Sequence, residues 1–136
     1  MKLVLLEDVR ENLPQGFSPY QIYGIYVDNK EVGRLTLREG SDEERYFDGH
    51  IGYTIDEEYR GHSYSYEACC LLKEKVDKDH LLITCDPQNI ASRKIIEKLN
   101  CEYIETKAIP KALRKVFAKD EKEKMIYCWH LKEEKS

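Results

Sequence analysis

Apolar residues in this chain change their spacing once, near residue 63, and that switch constrains the fold more than any other feature. Up to Ile55 they recur at every second position. "YQIYGIYV" (Tyr20 to Val27) alternates aromatic and β-branched side chains, "DNKE" supplies turn residues, and "VGRLTLR" returns with the same spacing. Two such runs around a short polar turn predict an antiparallel hairpin. "KLVLLE" (Lys2 to Glu7) reads as an earlier strand, ended by "ENLPQGFSP" with its prolines and glycine. After the charged "EGSDEER", "YFDGHIGYTI" (Tyr46 to Ile55) reads as the third strand of the antiparallel run. On it Phe47, Ile51, Tyr53 and Ile55 share one face, and Asp48, His50 and Thr54 share the other. Gly52 in mid-strand predicts a bulge or a close approach to the backbone.

From about Ser63 the spacing is helical, with Ala68, Leu72 and Val76 four apart and Leu71 beside them. "HLLITC" then reads as a buried strand. "DPQN" is a turn with Asn89 placed to cap a second helix, Ile90 to Leu99, anchored by Ile95, Ile96 and Leu99. Asn100 suits a left-handed terminator. "CEYIETKA" and "KMIYCWHL" are the last two strands, bridged by "IPKALRKVFAKDEKE", where Leu113, Val116 and Phe117 have helical spacing. The order predicts an α+β fold: a mixed, mostly antiparallel twisted sheet with a parallel step across the first helix.

A length of 136 residues suits one domain spanning 1–136. The net charge of −4 argues against a nucleic-acid partner, whose phosphates call for a basic footprint. Acids interrupt the opening "MKLVLLEDVRENL" before a signal peptide or membrane span is complete, so no membrane partner is expected. The five cysteines form no C-x-x-C pair and lie in apolar stretches where free thiols pack, which points to a reducing cytoplasm. Without H-E-x-x-H or paired C-x-x-C, no metal is expected. "KALRKVFAK" reads as a solvated cationic surface helix, with contact to a bound ligand's outer phosphate or to nucleic acid as the alternative.

The junction of the two spacings is "DEEYRGHSYSYEA". A helix that opens after a turn presents unpaired N–H groups and the positive end of its dipole to an anion. Gly61 permits positive φ there, Ser63 and Ser65 let a diphosphate approach while adding hydroxyl donors, and Arg60 adds charge. The alternative is that Ser63 only caps the helix and Gly61 only punctuates a turn. Neither a Walker loop nor a dinucleotide-binding glycine fingerprint is present.

Arg60-Gly61-His62-Ser63-Tyr64-Ser65, followed by Glu67-Ala68, is similar to the [QR]-x-x-G-x-[GA] phosphate loop of the GNAT superfamily of acetyl-CoA-dependent N-acetyltransferases. Asn89, Ser92, Glu97 and Lys98 match its second signature, N-x-x-S-x-x-x-x-E-K, and the resemblance spans roughly Asp48 to Ile104. It is nearest to the branch containing ribosomal-protein N-terminal acetyltransferases. The chain departs from that pattern in its serines at 63 and 65, in Asn100-Cys101 for Gly-Phe, and in Ile96 where another branch carries a tyrosine acid. The connection between the first two strands is also short.

What the resemblance implies is direct attack by a primary amine on acetyl-CoA in a ternary complex, within a sheet splayed at its central parallel pair. Tyr53, Thr54 and Ile55 would pair with the pantetheine arm, Arg60 to Ser65 (Arg60, Gly61, His62, Ser63, Tyr64, Ser65) would hold the pyrophosphate, and Asn89 and Ser92 would meet the arm or its sulfur. A backbone N–H near Thr54 is the expected oxyanion donor. Asp48 or His50 acting through water is the expected base, with Tyr103 first and Ser92 second as the acid. The acceptor would be a small-molecule amine or a peptide or protein N-terminus, and a homodimer is compatible with the reading. A non-catalytic or regulatory acyl-CoA binder is the alternative function.

Overall fold

Asp28 and Asn29 close the first hairpin in the left-handed region, at φ of 50° and 67°, the conformation that twists a two-residue turn to match its strands. The computed structural model describes residues 1–15 and 17–132. The hairpin joins β2 (Tyr20–Val27) to β3 (Lys30–Arg38); β1 (Lys2–Val9) lies outside β2, and β4 (Ile51–Ile55) lies outside β3. These strands form a sheet ordered β1-β2-β3-β4. A second sheet, ordered β5-β7-β6, contains β5 (His80–Cys85), β6 (Glu102–Ala108) and β7 (Glu123–His130). The helices α1 (Tyr64–Lys75) and α2 (Ile90–Lys98) follow β4 and β5.

α1 buries Ser65, Ala68, Cys69 and Leu72, the i, i+3, i+4, i+7 stripe of a helix with one wet face. That stripe joins Ile25, Leu35, Ile83 and Ile96 in a core fed by both sheets. On α2 only Ile96 is fully buried. Asn100 terminates it at φ 59°, in the left-handed region that asparagine tolerates.

Several elements differ from the sequence reading. The third strand begins at Ile51, not Tyr46. Residues 41–49 instead form successive turns, with Arg45 N–H bonded to the Ser41 carbonyl (3.0 Å) and Gly49 N–H to that of Arg45 (2.8 Å). Arg45 also reaches Asp48 Oδ2 at 2.9 Å, three residues on. Gly52 carries no bulge; what approaches it is the Arg38 guanidinium, 2.9 Å from where a Cβ would sit. The segment after Pro110 is a 3₁₀ turn, Lys111–Val116, and its Leu113 and Val116 face water.

The expected parallel pair is present only as a seam. Among the described residues no ladder joins β4 to β5. They meet where His50 N–H donates to the Leu82 carbonyl (2.8 Å) and Leu82 N–H donates back to His50 Nδ1 (2.9 Å). Because Nδ1 accepts, Nε2 carries the proton and donates to the Gly40 carbonyl at 3.0 Å. His50 is therefore buried with both ring nitrogens engaged, rather than on an open face beside Thr54. No helix among the described residues is long and apolar enough to cross a membrane.

Candidate functional site

The β4 edge that turns away from β3 is the foundation of the site. Arg38 N–H bonds the His50 carbonyl and Asp56 N–H bonds that of Val32, so the hydrogen-bonded pairs with β3 fall on even-numbered residues of this strand. The N–H and C=O groups of Ile51, Tyr53 and Ile55 consequently point toward the gap beside β5. Thr54 points its own toward Arg34. The Thr54 N–H itself is therefore engaged with β3, and the neighbouring amides that face the gap are those of Tyr53 and Ile55.

At the end of β4 the chain makes a single 3₁₀ turn and enters α1. Arg60 Nε donates to the Ile55 carbonyl at 3.0 Å, fixing the loop against the strand end. Gly61 sits at φ 92°, and a Cβ added there would meet no protein atom within 4 Å. Ser63 is left-handed (φ 59°) and makes no capping bond with its hydroxyl, so it is not the ordinary helix cap. The first bond into the helix runs from Glu67 N–H to the Ser63 carbonyl at 3.2 Å, so the preceding N–H groups have no helical acceptor. The Ser63 and Ser65 side chains are small enough to leave them accessible.

Across the gap, Asn89 Oδ1 accepts from Ser92 N–H at 3.1 Å and caps α2. The Ser92 hydroxyl is thereby held 2.9 Å from the Tyr53 hydroxyl. Burial pushes the Tyr53 phenol well above its ordinary pKa, against the lowering effect of the Ser92 bond, so it stays protonated.

Two cavities meet at this hydroxyl pair. One, of about 400 Å³, is lined by Tyr53, Thr54, Ile55, Arg60 to Ser65, Asn89 and Ser92, which brings together every residue the sequence nominated for cofactor binding. The other, of about 470 Å³, shares Tyr53, Asn89 and Ser92 and continues past Arg38, Asp48 and Gly52 to Asp86, Asp120, Glu121 and Lys124.

The nominated catalytic groups are dispersed. Ser92 and Asp48 line the second cavity, and Asp48 Oδ1 is buried there without a partner. His50 lines neither of these two cavities; its nitrogens are both engaged, and burial lowers its pKa, which removes it as a base. Tyr103 is about half exposed on β6, bonded to Thr106 Oγ1 at 2.7 Å, and lines neither cavity either. Its ring packs on that of Tyr127, its partner across the ladder (centroids 5.5 Å apart), outside both cavities, so the acid expected there does not reach the hydroxyl pair. Ile96 is fully buried. Cys85 lines the second cavity, but burial raises its thiol pKa and leaves it unreactive.

Arg38, Asp86, Asp120, Glu121 and Lys124 were not singled out from the sequence. They come from three separate stretches of the chain, and only the acid opening "DPQN" carried a local signal. Lys124 pairs with Glu121, while Arg38 donates to the Asp48 and Gly49 carbonyls at 3.3 Å each. The charged "EGSDEER" loop does not reach this cavity; its Asp42 instead pairs with His80.

Two clefts joined through a gap in a splayed α+β sheet, with a helix entrance at one end, define an acyl-CoA N-acyltransferase fold. The chain belongs to the GNAT acetyltransferase domain family, whose description matches residues 7–102. No curated protein sequence matches it.

Among solved structures it is similar to the apo form of RimL, a ribosomal L7/L12 α-N-protein acetyltransferase, at 16% identity and a TM-score of 0.66, covering 85% of this chain and 72% of that one. RimL in complex with coenzyme A matches at 17% identity and TM-score 0.64, over 82% of this chain and 62% of that one. An acetyltransferase from Salmonella typhimurium that modifies the N-terminal serine of ribosomal protein L7/L12 matches at 18% and 0.60, over 82% and 63%. The chain thus spans roughly two thirds of the length of these neighbours.

Proposed function

We propose that this chain, as one domain over 1–136, transfers the acetyl group of acetyl-CoA to a primary amine by direct attack in a ternary complex. The observation that carries the proposal is the Tyr53–Ser92 hydroxyl pair at the one junction between a helix-entrance cleft and an acidic cleft. When bound, acetyl-CoA supplies an activated thioester. The chain's residues fit that group: the unbonded N–H groups at the α1 entrance and the open space at Gly61 suit a diphosphate. The outward amide and carbonyl of Tyr53 suit an extended arm with amide groups of its own.

In this reading Tyr53 N–H holds charge that develops on the acyl oxygen, fixed in place before reaction by the β3–β4 ladder. Ser92 donates the proton that the departing sulfur needs and is reprotonated by the second proton that the attacking nitrogen sheds, while the Tyr53 phenol, kept protonated by burial, holds the Ser92 hydroxyl in place. Asp48, whose partly exposed carboxylate lines the acceptor cleft and is held by Arg45 through Oδ2, takes the ammonium proton through water. Asp86 and Asp120 lend that cleft a negative field, which favours an amine that arrives as a cation. A peptide or protein N-terminus is the acceptor class that the RimL neighbours carry in their names.

A turnover screen of acetyl-CoA against amines and N-terminal peptides tests the proposal, repeated with Ser92→Ala, Tyr53→Phe and Tyr103→Phe. Ser92→Ala lowers kcat by about 10²-fold or more, in the range for a positioned proton donor. Tyr103→Phe changes nothing. Full turnover by Ser92→Ala would remove the assignment. A non-catalytic acyl-CoA binder is the second reading; the absence of a helix among the described residues between β1 and β2 favours it. It predicts coenzyme A binding with no turnover of any amine.

A further inference from the structure

The far end of the second sheet carries a group of side chains that the acetyl-transfer reading does not use. β7 is the central strand there, and its register sets Cys128 opposite Glu102 of β6 and His130 opposite His80 of β5. Cys128 and His130 are two residues apart on one strand, so they share a face, and directly paired neighbours share it too. A Glu102 carboxylate oxygen, the Cys128 sulfur and a His130 ring nitrogen all lie within 4.8 Å of one another. His130 Nε2 and Glu102 Oε1 are 2.8 Å apart.

We propose that Glu102, Cys128 and His130 bind a divalent transition-metal ion of the zinc class. Tetrahedral bonds of about 2.0–2.3 Å separate ligand atoms by about 3.5 Å, so the wider separations, up to 4.8 Å, need to contract by roughly an ångström while the 2.8 Å Glu102–His130 pair opens slightly. Its two outer members can supply that contraction. The Glu102 and His130 side chains are 64% and 59% exposed and free to turn, while Cys128 is buried and fixes the anchor. A thiolate, a carboxylate and a neutral imidazole balance the charge of a divalent ion. The sulfur selects against magnesium and calcium, which take oxygen ligands. On binding, the Cys128 thiol releases its proton to solvent, and His130 exchanges its bond to Glu102 for the metal. Water completes the fourth position, with His80, held by Asp42 at 2.7 Å, on the adjoining strand. No linear motif announces the site because its ligands are gathered by cross-strand register.

The test is a cobalt(II) titration of the full chain without a histidine tag, followed by competition with zinc. The expected result is one equivalent bound with a thiolate-to-cobalt charge-transfer band, lost in Cys128→Ser. Glu102→Gln, an exposed change that leaves the fold intact, lowers zinc affinity at least about tenfold. An absent band, a band that survives Cys128→Ser, or unchanged zinc affinity in Glu102→Gln overturns the site. None of these readouts depends on acetyl transfer.

Discussion

Replacing His50 with leucine removes the one side chain whose ring bonds both β5 and the turn before β4. Leucine is close enough in volume that no large cavity opens, so the cost comes from polar groups. Leu82 N–H, on a residue only 2% exposed, loses its 2.9 Å acceptor and stays buried. An unsatisfied buried donor costs about 1–3 kcal/mol, whereas the Gly40 carbonyl at an exposed position regains water. A net loss of about 2 kcal/mol, with an unfolding entropy near 2.1 cal/mol/K per residue over this chain, lowers Tm by about 7 °C.

The variant also differs in its response to pH. Burial lowers the His50 pKa below its ordinary 6.5, so the neutral form is the folded form. Its contribution is complete above pH 6.5 and is lost as the pH falls from there through the lowered value, because the unfolded chain takes up the proton first. Urea unfolding at pH 7.5 and pH 5 therefore shows a smaller acid loss in His50→Leu than in the native chain. A variant as stable as the native chain at pH 7.5, with the same acid loss, would refute the role given to the seam.

At Gly61, valine would adopt φ 92° at a cost of about 1–2 kcal/mol but meet no protein atom, so stability falls modestly while calorimetry shows coenzyme A affinity down more than tenfold. Unchanged affinity would contradict an anion at that turn. Asp86→Asn with Asp120→Asn raises KM for a cationic amine severalfold at low salt and leaves KM for acetyl-CoA unchanged; equal effects on both substrates would count against an acidic acceptor cleft. Under a thiol alkylating reagent, exposed Cys70 reacts first, and Cys69, buried and pushed up to about 12, reacts last in mass-spectrometric mapping.

Local chemistry made much of this fold legible. "DNKE" between two alternating runs specified the first hairpin, and "NIAS" specified the start of α2 through the Asn89 cap. The cleft at the α1 entrance was legible because its lining is nearly contiguous, in Tyr53 to Ile55 and Arg60 to Ser65. Elsewhere the same patterns misled. Phe47 and Ile51 alternate as a strand would, but the Arg45–Asp48 ion pair and two i+4 backbone bonds curl residues 41–49 into turns. Leu113 and Val116 have a helical spacing that also fits a threefold turn, and nothing packs over them. The second cleft was missed because Arg38, Asp86 and Asp120 come to line one cavity only once the sheets have splayed. Tyr103 was misjudged because the sequence does not show that β6 is an edge strand, separated from β5 by β7, which leaves the phenol outside both clefts.

A crystal structure of this chain with coenzyme A would examine the central assignment most directly. The expected electron density has the diphosphate on the backbone amides between Gly61 and Ser65 and the sulfur within hydrogen-bond reach of the Ser92 hydroxyl. Ligand bound elsewhere, or an arm that bypasses the open edge of β4 at Tyr53, would contradict it.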